Sequence, residues 1–347
     1  MDDYIKIGNR LIGSKYPPLI IVELGINHKG NFSLAKKIID TAKRAGAEII
    51  KHQTHIAEYE MSSEAKKIIP VHAKENIFEI IKNSSLSELE EKKLQNYVKS
   101  KKLIYLSTPF SREAADRLNK LNVPAFKIGS GECNNYPLIE HIAKFQKPII
   151  LSTGMNDIHS IKKSVKIIKK FRCPLAILHT TNLYPTPSKL IRLNALNDLR
   201  KNFPNIPIGL SDHTDENYTA FGALGMGASI IEKHYIDKKT RGGVDIPASI
   251  DFNQLKDLIK GSKEIFLAKP GKKKPVLEER STAKFAFASV VSIKDIKKGE
   301  KLSKKNIWVK RPGTGDFKAK DYKSLIGKIV KKNISQNVQI KKKHFKK

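Results

Sequence analysis

Residues 126–155 read FKIGSGECNNYPLIEHIAKFQKPIILSTGM. The stretch opens on a short apolar run and turns through GSGECN. It continues as PLIEHIAKFQ, whose apolar residues recur at helical spacing, and returns to an apolar run in PIILSTG. Strand, helix, strand is one unit of a parallel sheet, because parallel neighbours need a crossover of helix length.

Outward from this unit the same alternation runs from residue 18 to about 268. The predicted strands are 18–25, 48–54, 103–109, 125–131, 148–154, 174–180, 207–213 and 229–235. Helical segments such as SLAKKIIDTAKRAGA and SREAADRLNKLN lie between them, and DFNQLKDLIKGSKEIF follows the last. Eight near-continuous apolar strands separated by helices predict an α/β fold, a (β/α)8 TIM barrel over residues 1–268. An open doubly wound sheet gives similar alternation, but no GxGxxG follows the first strand. One insertion, about 55–85, is long, partly apolar and partly acidic, and is expected to cover the active site. Residues 269–283, KPGKKKPVLEERSTA, carry prolines and charges without a period and read as a linker. Residues 284–347 read as a small domain of short strands and turns, too small to be more than marginal alone.

The chain has 347 residues and a net charge of +32, from 66 Lys and Arg against 34 Asp and Glu. The lysines are spread along predicted helices (KKIIDTAKRAG, SIKKSVKIIKKFR) and not gathered on one aromatic-interleaved patch. The charge therefore reads as a solvated surface that favours small acidic substrates over nucleic acid. No apolar run approaches a membrane span and the N-terminus lacks a signal-peptide core, so a cytoplasmic location and no membrane partner are expected. Cys133 and Cys173 have no CxxC spacing and read as reduced side chains.

In such a barrel the C-terminal strand ends carry the chemistry. Here they offer Glu23, Lys51, Gln53, Ser107, Thr108, Lys127, Ser130, Ser152, Thr153, His179, Asn182, Tyr184, Ser211, Asp212, His213, Glu232, Lys233 and His234. Thr108, Thr153 and Thr214 serve equally well as helix N-caps. Lys51 and Lys127, however, interrupt strands that are otherwise apolar, where exposure is not expected. Two lysines converging with several hydroxyls suit a substrate bearing phosphate and carboxylate. His213 and His234 lie on adjacent strands and can meet at the same mouth. On spacing alone they are either a metal pair or two polar strand-end residues. Two ligands cannot close a structural zinc site, but they can hold an ion such as Mn²⁺ with open positions.

The run 126–155, with GLSDHT, KHQTHI (51–56), LYPTP (183–187) and WVKRPGTGDF (308–317), resembles the bacterial N-acetylneuraminate (sialic acid) synthases. The wider nonulosonate synthase family also makes legionaminic and pseudaminic acids. The resemblance covers essentially the whole chain, and the C-terminal segment resembles the antifreeze-like (SAF) domain of these enzymes. It implies condensation of phosphoenolpyruvate with N-acetylmannosamine and water to give N-acetylneuraminate and phosphate. The alternative substrate is the 2,4-diacetamido-2,4,6-trideoxyhexose of legionaminic acid. It also implies Mn²⁺, with Mg²⁺ or Co²⁺ as substitutes, and a homodimer in which each small domain covers the partner's active site.

By the same resemblance His213 and His234 are catalytic metal ligands. Lys51, Thr108, Lys127, Ser130, Ser152, Asn182 and Ser211 hold phosphoenolpyruvate. Glu23, Gln53, Tyr184 and Asp245 meet the sugar, with Glu23 also a catalytic group for proton handling. Phe285 and Arg311 reach the N-acetyl end from the partner. Phe287 lies two residues from Phe285, with core packing the alternative for either, and a surface arginine is the alternative for Arg311. His72 stands where the resemblance expects asparagine, which is either neutral variation or the mark of a sugar altered at carbon 4 or 6. A lysine-imine lyase and a nucleic-acid-binding protein are the competing readings.

Overall fold

All eight predicted strands are present in the computed structural model, which describes residues 4–70 and 73–346. His72 lies outside the described residues. A hairpin of β1 (Tyr4–Ile7) and β2 (Arg10–Gly13) comes first. Then follow β3 (Leu19–Glu23), β4 (Ile49–Thr54), β5 (Ile104–Pro109), β6 (Phe126–Ile128), β7 (Ile149–Ser152), β8 (Leu175–Thr180), β9 (Ile208–Asp212) and β10 (Ile230–Tyr235). They pair in parallel in the order β5-β4-β3-β10-β9-β8-β7-β6. The two end strands, β5 and β6, lie against each other and close the ring. Chain order therefore follows the circle, as in a TIM barrel.

The helices outside the ring are α1 (Phe32–Ala45), α4 (Glu88–Ser100), α5 (Arg112–Lys120), α6 (Tyr136–Ala143), α7 (Ile158–Lys170), α8 (Ala195–Asn202), α9 (Tyr218–Gly225) and α10 (Phe252–Ala268). The insertion supplies α2 (Ala57–Glu60), a 3-10 turn (Ser63–Lys67) and α3 (Ile77–Ser84). Local chemistry sets their ends. Asn31 caps α1 by accepting from Leu34 N at 2.9 Å, and Gly46 ends it in the left-handed region at φ 103°. Asp251 and Gln254 form a capping box at the start of α10.

The strands are buried on both faces, and the two faces do different work. Outward residues such as Ile20, Val22, Ile50, Phe126 and Leu151 pack on the helices through Ile38, Ile39, Ile139 and Ile142. Inward residues Leu19, Ile21, Ile49, Leu106, Ile150, Leu178 and Ile230 form a second core with Ile5, Ile7 and Ile12 of the hairpin. The hairpin thus plugs the N-terminal end of the barrel. No helix among the described residues is long and apolar enough to cross a membrane.

The chain divides into two units, Met1–Pro270 and Gly271–Lys347. In the second, the strands Ser289–Ser292 and Ile307–Lys310 pair antiparallel, around a core of Val290, Ile296, Leu302, Ile307, Leu325, Val330, Ile334 and Ile340. The end of the stretch read as a linker is a 3-10 turn (Leu277–Glu279) running into a short helix, Arg280–Ala286.

Candidate active site

Along each inward strand face the apolar layer gives way, two residues on, to a polar one. Ile21 leads to Glu23, Ile49 to Lys51, Leu106 to Thr108, Ala125 to Lys127, Ile150 to Ser152, Leu178 to Thr180 and Ile230 to Glu232. Period two brings a ring of polar side chains above the apolar core without a change in any strand. All but Glu23, which lies behind Lys51, line a chamber of about 110 Å³, to which Ser130, Asn182, Ser211, His213 and His234 also contribute.

Inside the chamber Lys51 Nζ lies 2.6 Å from Glu23 Oε2 and 3.7 Å from Glu232 Oε2, and it donates to Thr108 Oγ1 at 3.1 Å. Lys127 Nζ lies 3.4 Å from Glu232 Oε1 and donates to Ser152 Oγ at 2.7 Å. Ser211 Oγ donates to Glu232 Oε1 at 2.9 Å. Burial would raise Glu232, but Lys127 and Lys51 pull it well below the carboxylate range. Glu23 goes the other way, because burial outweighs the pull of Lys51. Burial opposes the charge on Lys51, yet Glu23 and Glu232 hold it above the ordinary lysine range, while burial pushes Lys127 down. One firmly ionised carboxylate against two lysines leaves a site that favours an anion.

Two further features point to a polar ligand. Thr180 Oγ1 and Asn182 Oδ1 are buried without a hydrogen-bond partner among the described residues, a cost of about 1–3 kcal/mol each that a ligand or water recovers. A Cβ on Gly154 would fall onto the Asn182 carboxamide and within 2.9 Å of Ser130 Oγ. Glycine there keeps the wall open, and its N–H donates to Ser130 Oγ at 3.0 Å.

His213 and His234 do meet, with ring centroids 5.4 Å apart. His213 Nδ1 lies 2.9 Å from the Thr181 carbonyl, which fixes Nδ1 as the donor and leaves Nε2 with its lone pair. Among the described residues His234 Nδ1 is buried without a hydrogen bond, 3.5 Å from Asp245 Oδ2. Burial first, and then His234, lowers His213 to about 4; burial and then Lys51 lowers His234 to about 3. Both rings are neutral near pH 7, as metal ligation requires. Among the described residues no group of three or more His, Cys, Asp or Glu side chains is arranged to hold a metal. The donor set fits a cation that takes its other ligands from water and substrate.

Above the chamber opens a larger cavity of about 820 Å³, sharing Gln53, Phe110, Asn182, Tyr184 and His234 with it. Its remaining wall is mostly apolar, from Ile26, Ile77, Ile80, Ile81, Leu183 and Val244, with His55, Glu60 and Asp245 as polar points. The insertion therefore builds this cavity, through α3 packed on Ile26 and Ala57. Tyr184 stacks on His213 at 4.2 Å and meets His234 edge-on at 5.6 Å. Gly25, at φ 52°, lets Asp245 and His234 approach: a Cβ there would lie 2.5 Å from Asp245 Oδ2.

With this geometry in place, comparison with known proteins is decisive. Residues 38–274 match the NeuB family and residues 287–346 the SAF domain. The chain belongs to the NeuB family. An uncharacterized protein of Methanocaldococcus jannaschii is 39% identical over 90% of each chain. The N,N'-diacetyllegionaminic acid synthase of Campylobacter jejuni is 36% identical over 93% of this chain and 98% of the relative. Among solved structures, the sialic acid synthetase of Leptospira borgpetersenii, crystallised with citrate, is 30% identical with a TM-score of 0.74, covering 81% of this chain and 95% of that one. The last two relatives of this NeuB-family chain are named as synthases of nonulosonic acids, legionaminic and sialic.

Within this NeuB-family barrel the expected side chains from Lys51 to Asp245 line the two cavities, and Glu23 lies behind them, bonded to Gln53 and Lys51. Asp212 and Lys233, also at the strand ends, do not: they pair at 3.3 Å on the outward face, with Thr214. Thr108 contacts Lys51 and is no cap; Ser111 caps α5 instead. Cys133 and Cys173 are free and buried. Phe285, Phe287 and Arg311 lie in the second unit and are exposed, so neither phenylalanine packs in that unit's core. Glu232 was under-read in the sequence, although its place two residues before His234 puts it on the same face. His55, Glu60 and Phe110 carried no signal, since they meet only when the insertion folds back.

Proposed function

We propose that this chain condenses phosphoenolpyruvate with an open-chain N-acetylated amino sugar to give a nine-carbon 2-keto acid and phosphate. The observation that carries the reading is the stacking of two cavities: an anion chamber with Lys51, Lys127 and His213, and above it a sugar-sized cavity that shares His234 and Tyr184 with it. Lys51 and Lys127 would neutralise phosphate and carboxylate and hold the enol still. A divalent cation, Mn²⁺ in this reading, bound by His213 and His234, would supply Lewis acidity toward the aldehyde oxygen. Carbon 3 of the enol attacks the aldehyde carbon, whose oxygen is protonated. Water adds at carbon 2 and gives up a proton, and the carbon–oxygen bond to phosphate breaks. Glu23, raised by burial, suits the holding and passing of that proton. No lysine needs to act as a nucleophile.

For the sugar, the sequence expectation was N-acetylmannosamine, but two points favour the 2,4-diacetamido-2,4,6-trideoxyhexose. The legionaminic acid synthase is the more similar named relative, at 36%. The wall formed by Ile77, Ile80, Ile81, Leu183 and Val244 also suits a carbon-6 methyl better than a hydroxyl. A homodimer in which Phe285 and Arg311 cover the partner's cavity is part of the proposal, supported by the exposure of both residues.

The test is phosphate release from phosphoenolpyruvate with Mn²⁺, run with each sugar and with products identified by mass. A kcat/KM at least about tenfold higher for the trideoxy sugar is expected, the discrimination one methyl or hydroxyl in an apolar pocket commonly gives. Preference for N-acetylmannosamine refutes the choice of sugar, and silence with both refutes the reaction.

A further inference from the structure

His55 is 5% exposed and stands where the insertion leaves β4. Its Nδ1 lies 2.8 Å from Glu60 Oε2, its Nε2 lies 3.0 Å from Gln53 Oε1, and its ring stacks on Phe110 at 4.3 Å and 14°. Gln53 Nε2 in turn donates to Glu23 Oε1 at 2.9 Å. Glu23 also accepts from Gly25 N at 3.0 Å and faces Lys51 Nζ at 2.6 Å.

These contacts fix the hydrogens. Glu23 is surrounded by donors, so Gln53 turns its NH₂ toward it and its carbonyl oxygen toward His55. That oxygen can only accept, so His55 Nε2 carries a hydrogen. Glu60, as a carboxylate, also accepts, so Nδ1 carries one too. We propose that His55 is a positioning residue: clamped by Glu60 and Phe110 as a doubly donating ring, it holds the Gln53 carboxamide, and through it the Glu23 carboxylate, in the orientation that meets the sugar. Without the clamp the carboxamide can turn over and present oxygen to oxygen at Glu23. The chain Glu60–His55–Gln53–Glu23–Lys51 then ties the insertion to the anion chamber. A histidine that served only as packing would need the stack on Phe110 but neither ring hydrogen.

The kinetic arm of the test rests on the proposed function. His55→Asn places an amide nitrogen near Nδ1 and loses the donor to Gln53, whereas His55→Gln places one near Nε2 and keeps it. His55→Asn should raise the sugar KM about tenfold, the worth of one buried hydrogen bond, with the phosphoenolpyruvate KM within about twofold of wild type. His55→Gln should recover to within about threefold, and His55→Asn with Gln53→Ala should be no worse than Gln53→Ala alone. Equal damage in the two His55 variants, or additive damage in the double variant, overturns the proposal. If wild type turns over no sugar, the function reading fails by itself, and a second measurement decides on His55. In nitrogen-15 NMR of histidine-labelled protein near pH 7, with the His55 signals assigned by their loss in His55→Gln, both ring nitrogens should carry hydrogen. A bare ring nitrogen overturns the clamp.

Discussion

Replacing Glu232 by alanine strands the buried Lys127 ammonium and leaves Lys51 with Glu23 as its carboxylate partner. The Glu232 carboxylate lies 3.4 Å from Lys127 and 3.7 Å from Lys51, and accepts from Ser211 at 2.9 Å. All three charged side chains are at most 5% exposed. Removing one partner from such a buried group costs about 3–5 kcal/mol, because the other charges stay desolvated. In a unit of this size about 1 kcal/mol moves Tm by roughly 2–4 °C, so the barrel should melt on the order of 10 °C lower. The loss should shrink when an anion enters: phosphate at about 100 times its Kd returns about 2.7 kcal/mol. Differential scanning calorimetry of wild type, Glu232→Ala and the double variant with Lys127→Met, each with and without phosphate, reads all of this. The double variant should be more stable than Glu232→Ala, since it removes a stranded charge. A single variant melting within about 2 °C of wild type, or a double variant less stable than the single, would refute the charge layer.

Lys51→Ala should raise the phosphoenolpyruvate KM at least tenfold, about the worth of a charged contact, with a smaller change in the sugar KM; the reverse pattern contradicts the anion chamber. Mixing inactive His213→Ala with inactive Arg311→Ala chains should restore about a quarter of wild-type phosphate release if the small domain serves its partner, and none if it serves its own barrel. His28, buried with Nδ1 unpartnered among the described residues, is lowered by burial, and then by His52 and His55, from 6.5 to about 3. Its contribution to stability is complete above pH 6.5 and is lost as pH falls toward about 3, at up to about 1.4 kcal/mol per pH unit. Tm measured in chelator from pH 7 to 4 should fall, and His28→Asn should flatten the slope; an unchanged slope rules this out.

The barrel was legible because parallel strands buried on both faces must be apolar throughout, and eight such runs leave little choice. Lys51 and Lys127 stood out for the same reason: a lysine inside an apolar run is a contradiction unless it faces a ligand. Inward and outward polar residues were harder to separate. Asp212 and Ser211 are adjacent, and only the register of β9 against β10 sends one into the chamber and the other to Lys233. The insertion was legible as a cover but not in detail, because His55 and Glu60 meet Phe110 from a second segment through tertiary packing alone. The small domain was recognised by resemblance, since its short pairings carry almost no periodic signal.

The plug at the N-terminal end of the barrel has a consequence for traffic. With Ile5, Ile7 and Ile12 filling the bottom, the chamber opens, among the described residues, at the C-terminal mouth. Lys51 sits two residues deeper on β4 than Gln53, roughly 7 Å further from that mouth. The sugar cavity therefore lies across the path like a cork in a bottle. In the proposed reaction the small anion would go in first, and a phosphate released beneath a nine-carbon product would wait for that product to leave. Order of addition is thus built into the depth of the well: the anion should bind to the protein alone, and the sugar, once seated, should trap it there.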